Sequence, residues 1–184
     1  MNALQAGVMN VPFAPVRGLL HTDYMKVRPD FRTMANPYDP SEEIALVPAI
    51  APDVAVFHGF RGDRAGNVVT SGALDAKLIA QASRVTIATV EEVVDADLAR
   101  EPHTGALVSG IHVTAVVEVP RGAHPTACAG YYADDVEHIR EYLRAAAADE
   151  TFRAYLARYV LGTRDHAEYL ARVAEGRVAV ASGP

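Results

Sequence analysis

The sequence predicts an α/β fold: an open, mostly parallel sheet followed by a helical C-terminal third. Two observations predict it. The runs DVAVFH (53–58) and RVTIAT (84–89) are short, β-branched and continuously apolar, as strands buried on both faces should be. Between them, SGALDAKLIAQAS (71–83) repeats Leu74, Leu78, Ile79 and Ala82 at helical spacing. A strand, a helix and a strand in that order imply a right-handed crossover between parallel strands.

The first 50 residues read as irregular and proline-punctuated, from Pro12 to Pro48, with short strands at VPFAPV (11–16) and IALVPA (44–49). IHVTAVVEV (111–119) is a third strand of the main sheet. Helices follow over 134–176. DDVEHIREYLRAAA carries an apolar stripe of Val136, Ile139, Leu143 and Ala146, with Asp134 or Asp135 as N-cap. DETFRAYLARYVLG repeats the pattern with Phe152, Tyr155, Leu156 and Tyr159, capped by Asp149 and ended by Gly162. TRDHAEYLARVAEG makes a third helix, capped by Thr163 and stopped by Gly176, and residues 177–184 form a frayed tail.

A chain of 184 residues fits a single domain, able to bury about 70% of its unfolded surface. The composition, 50% apolar and 22% charged, is that of a globular protein. The net charge of −6 argues against nucleic acid or an anionic membrane as the main partner. Cys128 stands alone, which excludes an internal disulfide and a multi-cysteine zinc site and fits a reducing compartment. With no leader-like N-terminus, the expected location is the cytoplasm.

The loops after the strands carry the chemistry. In HGFRGDRAGNVV (58–69), Asp63 to Asn67 have turn chemistry, with Gly66 free to take a positive φ. A turn does not need His58 and Arg61 at its mouth. Ligands of open α/β sheets bind beyond the carboxyl ends of strands, and an arginine there grips carboxylate or phosphate bidentately. In VEVPRGAHPTAC (117–128), Gly122 allows close approach to the backbone and His124 is the polar candidate. Arg17, after PFAPV, is either an anion clamp or half of a surface ion pair. Glu91, Glu92 and Asp95 read as a favourable helix start, because no histidine lies near them in sequence to complete a metal site; no metal is expected.

Taken together, the blocks PFAPVRGLL.TD, VPAIAPDVAVFHGFRGDRAGNV, SRVTIATVEEVVD, GIHVTAVVEVPRGAHPTACAGYY and HIREYL resemble the A-type chains of the class I CoA-transferases, of the glutaconate CoA-transferase kind. The similarity runs from about Val11 to about Val160. It implies the CoA-transferase/NagB-like superfamily fold, N-terminally shortened, since A-type chains of the family open with a strand and a glycine-rich loop. It also implies transfer of CoA from an acyl-CoA to a free carboxylic acid, with the CoA thioester as substrate and no tightly bound cofactor. The nucleophilic glutamate of the family lies in a B-type partner chain, in a Ser-Glu-Asn-Gly-like motif that this sequence lacks, so the chain alone should be inactive. His58, Arg61, Asp63, Gly66 and Asn67 match a family block that Gly59, Phe60 and Gly62 depart from. The candidate substrate and CoA residues are therefore Arg17, His58, Arg61, Asp63, Asn67, Gly122 and His124. Two alternatives stand beside transfer: a CoA-thioester hydrolase or ring-opening component on the same scaffold, and a non-catalytic acyl-CoA-binding chain.

Overall fold

A computed structural model of the chain describes residues 1–72 and 74–181. In chain order the elements are α1 (Asn2–Val8), β1 (Phe13–Val16), α2 (Tyr24–Val27), β2 (Arg32–Asn36), β3 (Asp39–Pro48), β4 (Val54–Asp63), β5 (Val68–Thr70), α3 (Leu74–Ala82), β6 (Val85–Val94), β7 (Ala106–Val108), β8 (Ala115–Glu118), α4 (Val136–Ala145), α5 (Asp149–Leu156) and α6 (His166–Ala181). Contacts divide the chain, expected to be one domain, into two compact units, Met1–Glu118 and Val119–Pro184. No described helix is long and apolar enough to cross a membrane.

The first unit holds two sheets. The proline-punctuated start is more regular than its composition implies: β1, β3 and β2 form an antiparallel sheet in that order. The larger sheet runs β7-β5-β4-β6-β8, with β4, β6 and β8 parallel; β5 is antiparallel to β4, and β7, antiparallel to β5, runs in the same direction as β4. The expected strand–helix–strand unit is thus β4, α3 and β6, paired from Val54 opposite Val85 to Asp63 opposite Val94. One face of this sheet carries the core, where Val68, Ala88, Val90 and Val108 pack with Ala80 of α3. The expectation of burial on both faces is corrected. Side chains alternate across a strand, and Val54 and Val56 on the other face are 53% and 63% exposed. Two further corrections concern length. β4 continues through Asp63 and β6 through Val94, while 110–112 is a 3-10 turn and β8 begins only at Ala115.

In the second unit Asp135 is the cap of α4, accepting from the His138 amide at 3.2 Å, whereas Asp134 accepts from Ala127 N. Asp149 sits inside α5, after an Ala148 cap, where its charge still favours the helix N-terminus. The α5 helix runs into a π turn over Ala157–Leu161. Thr163 does not cap α6: its hydroxyl donates to Val160 O, and Asp165 accepts from Glu168 N at 2.9 Å instead. Gly176 does not stop that helix, which runs to Ala181, for it keeps a backbone outside the positive-φ region that ends helices. The last three residues of the expected tail lie outside the described residues.

The apolar stripe read on α4 is not its inward side. Val136 and Leu143 are 49% and 62% exposed, while His138 is buried. His138 faces an interior of aromatic rings bearing polar heads, with ring centroids 4.8 Å from Tyr159 and 5.2 Å from His124. Its Nε2 lies 2.9 Å from Tyr155 Oη, and Tyr159 Oη donates to Glu141 at 3.1 Å. Burial and then Glu141 push Tyr159 up to about 12, and burial with Tyr155 and Asp135 does the same to Tyr169. These raised values add stability that is fully present below the unfolded tyrosine pKa of about 10. That stability is lost as pH rises through about 12. An ultraviolet titration of the folded chain is expected to show Tyr159 and Tyr169 ionising only near pH 12, and Glu141→Gln to lower the value of Tyr159.

Candidate functional site

The stretch from His58 to Asn67 divides into a strand and a turn. His58 to Asp63 belong to β4, and the chain turns over Arg64–Asn67 into β5. Gly66 takes φ +86, as the turn requires, and its N–H donates to Asp63 O at 3.1 Å. Asp63 organises the turn from inside. It is 4% exposed, and its carboxylate accepts from Ala65 N, Asn67 N, Asn67 Nδ2 and Leu98 N, all at 2.9–3.0 Å. Burial by itself raises the Asp63 pKa, but the bonds from Asn67, Leu98 and Ala65 outweigh it and hold the carboxyl below its ordinary value. Asn67 Oδ1 in turn accepts from Gly110 N at 3.0 Å, tying the turn to the segment before β8. Asp63 and Asn67 are therefore fully occupied in holding the backbone.

Beside this turn the carboxyl ends of β4 and β6 bring together a set that is not visible along the chain. The parallel register places His58 opposite Thr89. His58 Nδ1 lies 2.8 Å from Thr89 Oγ1, and His58 Nε2 lies 2.7 Å from Glu91 Oε1. The side chains of His58 and Glu91 are 15% and 4% exposed. Glu91 is thus a strand residue paired with an imidazole, which corrects its reading as a helix start. Spacing along the sequence offers it no histidine, whereas strand pairing supplies one from 33 residues away. Aligning the two apolar runs at Val54 and Val85 is the signal that would reveal it. With Glu91 as carboxylate, Nε2 carries the proton and Nδ1 accepts from the Thr89 hydroxyl. Such a group can orient a ligand and exchange a proton with it.

Arg61 follows on the same strand, opposite Val69 of β5 and Glu92 of β6. The glycines around it let neighbours pack onto the backbone: a Cβ at Gly59 would lie 2.6 Å from Val68 Cγ1, and one at Gly62 2.6 Å from Val116 Cγ1. A groove of about 460 Å³ opens beside the turn, lined by Asp63, Gly66, Val93 and Thr114 among others.

The remaining sequence candidates lie elsewhere. Arg17, at the end of β1 in the three-stranded sheet, is 79% exposed and pairs with Glu42 through both Nε (2.8 Å) and Nη2 (3.0 Å). It is a surface ion pair. Gly122 and His124 belong to the second unit. Gly122 N donates to Val119 O in a turn. The His124 side chain is 1% exposed, with Nδ1 2.6 Å from Tyr169 Oη and Nε2 2.9 Å from Asp135 Oδ2. Cys128 is buried and bridges to Tyr132 through its backbone.

The profile of the coenzyme A transferase family matches residues 1–119. The chain belongs to this family. It is 37% identical over 177 residues to the A chain of the 3-oxoadipate CoA-transferase of Pseudomonas knackmussii, covering 96% of this chain and 62% of that one. It is 30% identical over 172 residues to the IpdA component of the cholesterol ring-cleaving hydrolase of Rhodococcus jostii, covering 88% and 58%. The crystal structure of glutaconate coenzyme A-transferase from Acidaminococcus fermentans superimposes with a TM-score of 0.82 at 30% identity, over 93% of this chain and 59% of that one. The chain thus spans about three fifths of the length of these relatives, and the resemblance read from the sequence blocks holds at the level of family and fold.

Proposed function

We propose that the chain is the A-type part of a cytoplasmic, heteromeric CoA-transferase. It moves CoA from an acyl-CoA to a free carboxylic acid, with the attacking glutamate supplied by a B-type partner chain. What supports the reading most is the likeness to glutaconate coenzyme A-transferase over nearly the whole of this chain. In the reaction a glutamate carboxylate attacks the thioester, forming an acyl anhydride and releasing CoA thiolate. The thiolate then attacks the glutamyl carbonyl, giving a glutamyl-CoA thioester and the free acid, and the acceptor acid reverses these steps. Within the chain, Asp63 and Asn67 hold the turn at the strand ends, and Arg61 supplies positive charge. His58, fixed by Glu91, handles hydrogen bonding and protons. Gly122 contributes a backbone that a ligand can approach, and His124 shapes its own loop.

A second reading, hydrolysis or ring opening of a CoA thioester, draws on the likeness to the IpdA component and on the His58–Glu91 pair, which suits a reaction that moves a proton to or from water. The two separate by product. The complex of this chain with its partner, given acyl-CoA and a second carboxylic acid, should yield the second acyl-CoA. Free CoA and acid as the sole products would mean hydrolysis.

A further inference from the structure

We propose that Arg61 is an oxyanion seat and that the group it takes is the carboxylate of the acceptor acid; this rests on the CoA-transfer reading above. Among the described residues, most arginines have an acceptor of their own: Arg17 on Glu42, Arg28 on Asp30, Arg64 on Asp95, and both Arg164 and Arg172 on Glu168. Lys77, Arg144 and Arg153 have none but are exposed, where water serves them. Arg61 combines two properties: it is half-buried, and no described group accepts a hydrogen bond from its side chain. Partial burial of a guanidinium without an acceptor is unfavourable, since its five N–H donors are aimed at nothing fixed. None of its nitrogens is sealed off, because among the described residues no buried side-chain nitrogen or oxygen lacks a partner. The head group is therefore open to a ligand while the residue is anchored.

The mount is rigid as well. Arg61 lies within a strand, two residues from its carboxyl end and paired on both sides, not on a loop. Gly59 and Gly62 let Val68 and Val116 close onto the backbone on either side of it. Two residues on, the Asp63 carboxylate pins the turn through its amide bonds. A preorganised cation on a fixed element, lacking an internal anion, is how a protein builds a seat for an external one.

The local charge selects the anion. Asp63, Glu91 and Glu92 lie on the same strand ends, so the phosphate groups of CoA, which carry several negative charges, would meet repulsion that a single carboxylate largely avoids. The planar guanidinium holds a carboxylate in the two-point geometry that gives the strongest pairs; phosphate shares that geometry, so charge makes the choice.

The test is a nuclear magnetic resonance titration of the arginine Nε–H signals of the chain, with sodium propionate as the carboxylate, coenzyme A as the phosphate, and chloride at equal ionic strength as the control. Wild type is expected to show a saturable shift of the Arg61 signal with propionate and none with chloride. Arg61→Lys should bind propionate about tenfold more weakly, having lost one of two bonds, and Arg61→Gln should abolish saturation at an unchanged melting temperature. Should Arg61→Gln not fold, the wild-type and Arg61→Lys titrations decide. A shift produced by coenzyme A but not by propionate would make Arg61 a phosphate seat and overturn the assignment. No saturable shift with either would make it an ordinary solvated arginine. Propionate binding is read on the chain without turnover, so it stands or falls apart from CoA transfer by the complex.

Discussion

Replacing Asp63 by alanine is expected to lower the stability of the Met1–Glu118 unit by about 3–5 kcal/mol. Four donors, Ala65 N, Asn67 N, Asn67 Nδ2 and Leu98 N, lose their acceptor at a position 4% exposed. A buried donor left without a partner costs its desolvation. Asn67, freed from Asp63, also loses the orientation in which it receives Gly110 N. Arg64→Ala is the control: it removes a neighbouring ion pair with both side chains more than 80% exposed, and should change stability by no more than about 0.5 kcal/mol. Urea unfolding of both variants checks the contrast, and equal midpoints would contradict it. The folded-state pKa of Asp63 is lowered, so its contribution is present above the unfolded value of about 3.9 and is lost as pH falls through the lower folded value. Acid unfolding of the wild type should accordingly be steeper than that of Asp63→Ala.

The second large effect belongs to the other unit. Asp135 accepts from His138 N as the cap of α4 and from His124 Nε2 in the interior. Alanine removes a helix cap worth about 1 kcal/mol and leaves an imidazole that is 1% exposed without one of its partners, a further ~1–3 kcal/mol. The loss should appear as faster amide hydrogen exchange through α4 and around Tyr169, whose hydroxyl meets the same imidazole. Exchange in β4 and β6 is expected to stay as it is. Uniform acceleration across both units would show that they do not unfold separately.

These residues also mark how far the sequence can be read. The β4–α3–β6 unit is legible because Val54 to Phe57 and Val85 to Ala88 are short, mainly apolar and β-branched runs with a helical repeat between them. The rest of β4 is not, because Gly59, Gly62 and Asp63 are poor strand formers; tight packing of Val68 and Val116 onto the two glycines keeps them in the strand. Asp63 and Gly66 announce the turn by local chemistry, and the turn forms. Glu91 misleads because two acids after a strand favour a helix start in isolation, whereas its partner is fixed by pairing with a strand far away in sequence. The α4 stripe fails for a related reason. The interior it meets is built of tyrosine hydroxyls and imidazoles, so the face that turns inward is the one carrying His138 and Glu141. Periodicity reports where apolar groups recur, and it is blind to an interior that is aromatic and hydrogen-bonded.

The proposed CoA-transferase draws its nucleophile from a chain other than this one. The most direct measurement isolates the complex formed by this chain in its own cells, adds acyl-CoA, reduces with borohydride, and locates the modified glutamate by peptide mass spectrometry. Modification of one glutamate in the partner chain is expected, and none at Glu91, Glu92 or Glu118. A modified glutamate in this chain, or CoA transfer by this chain alone, would contradict it.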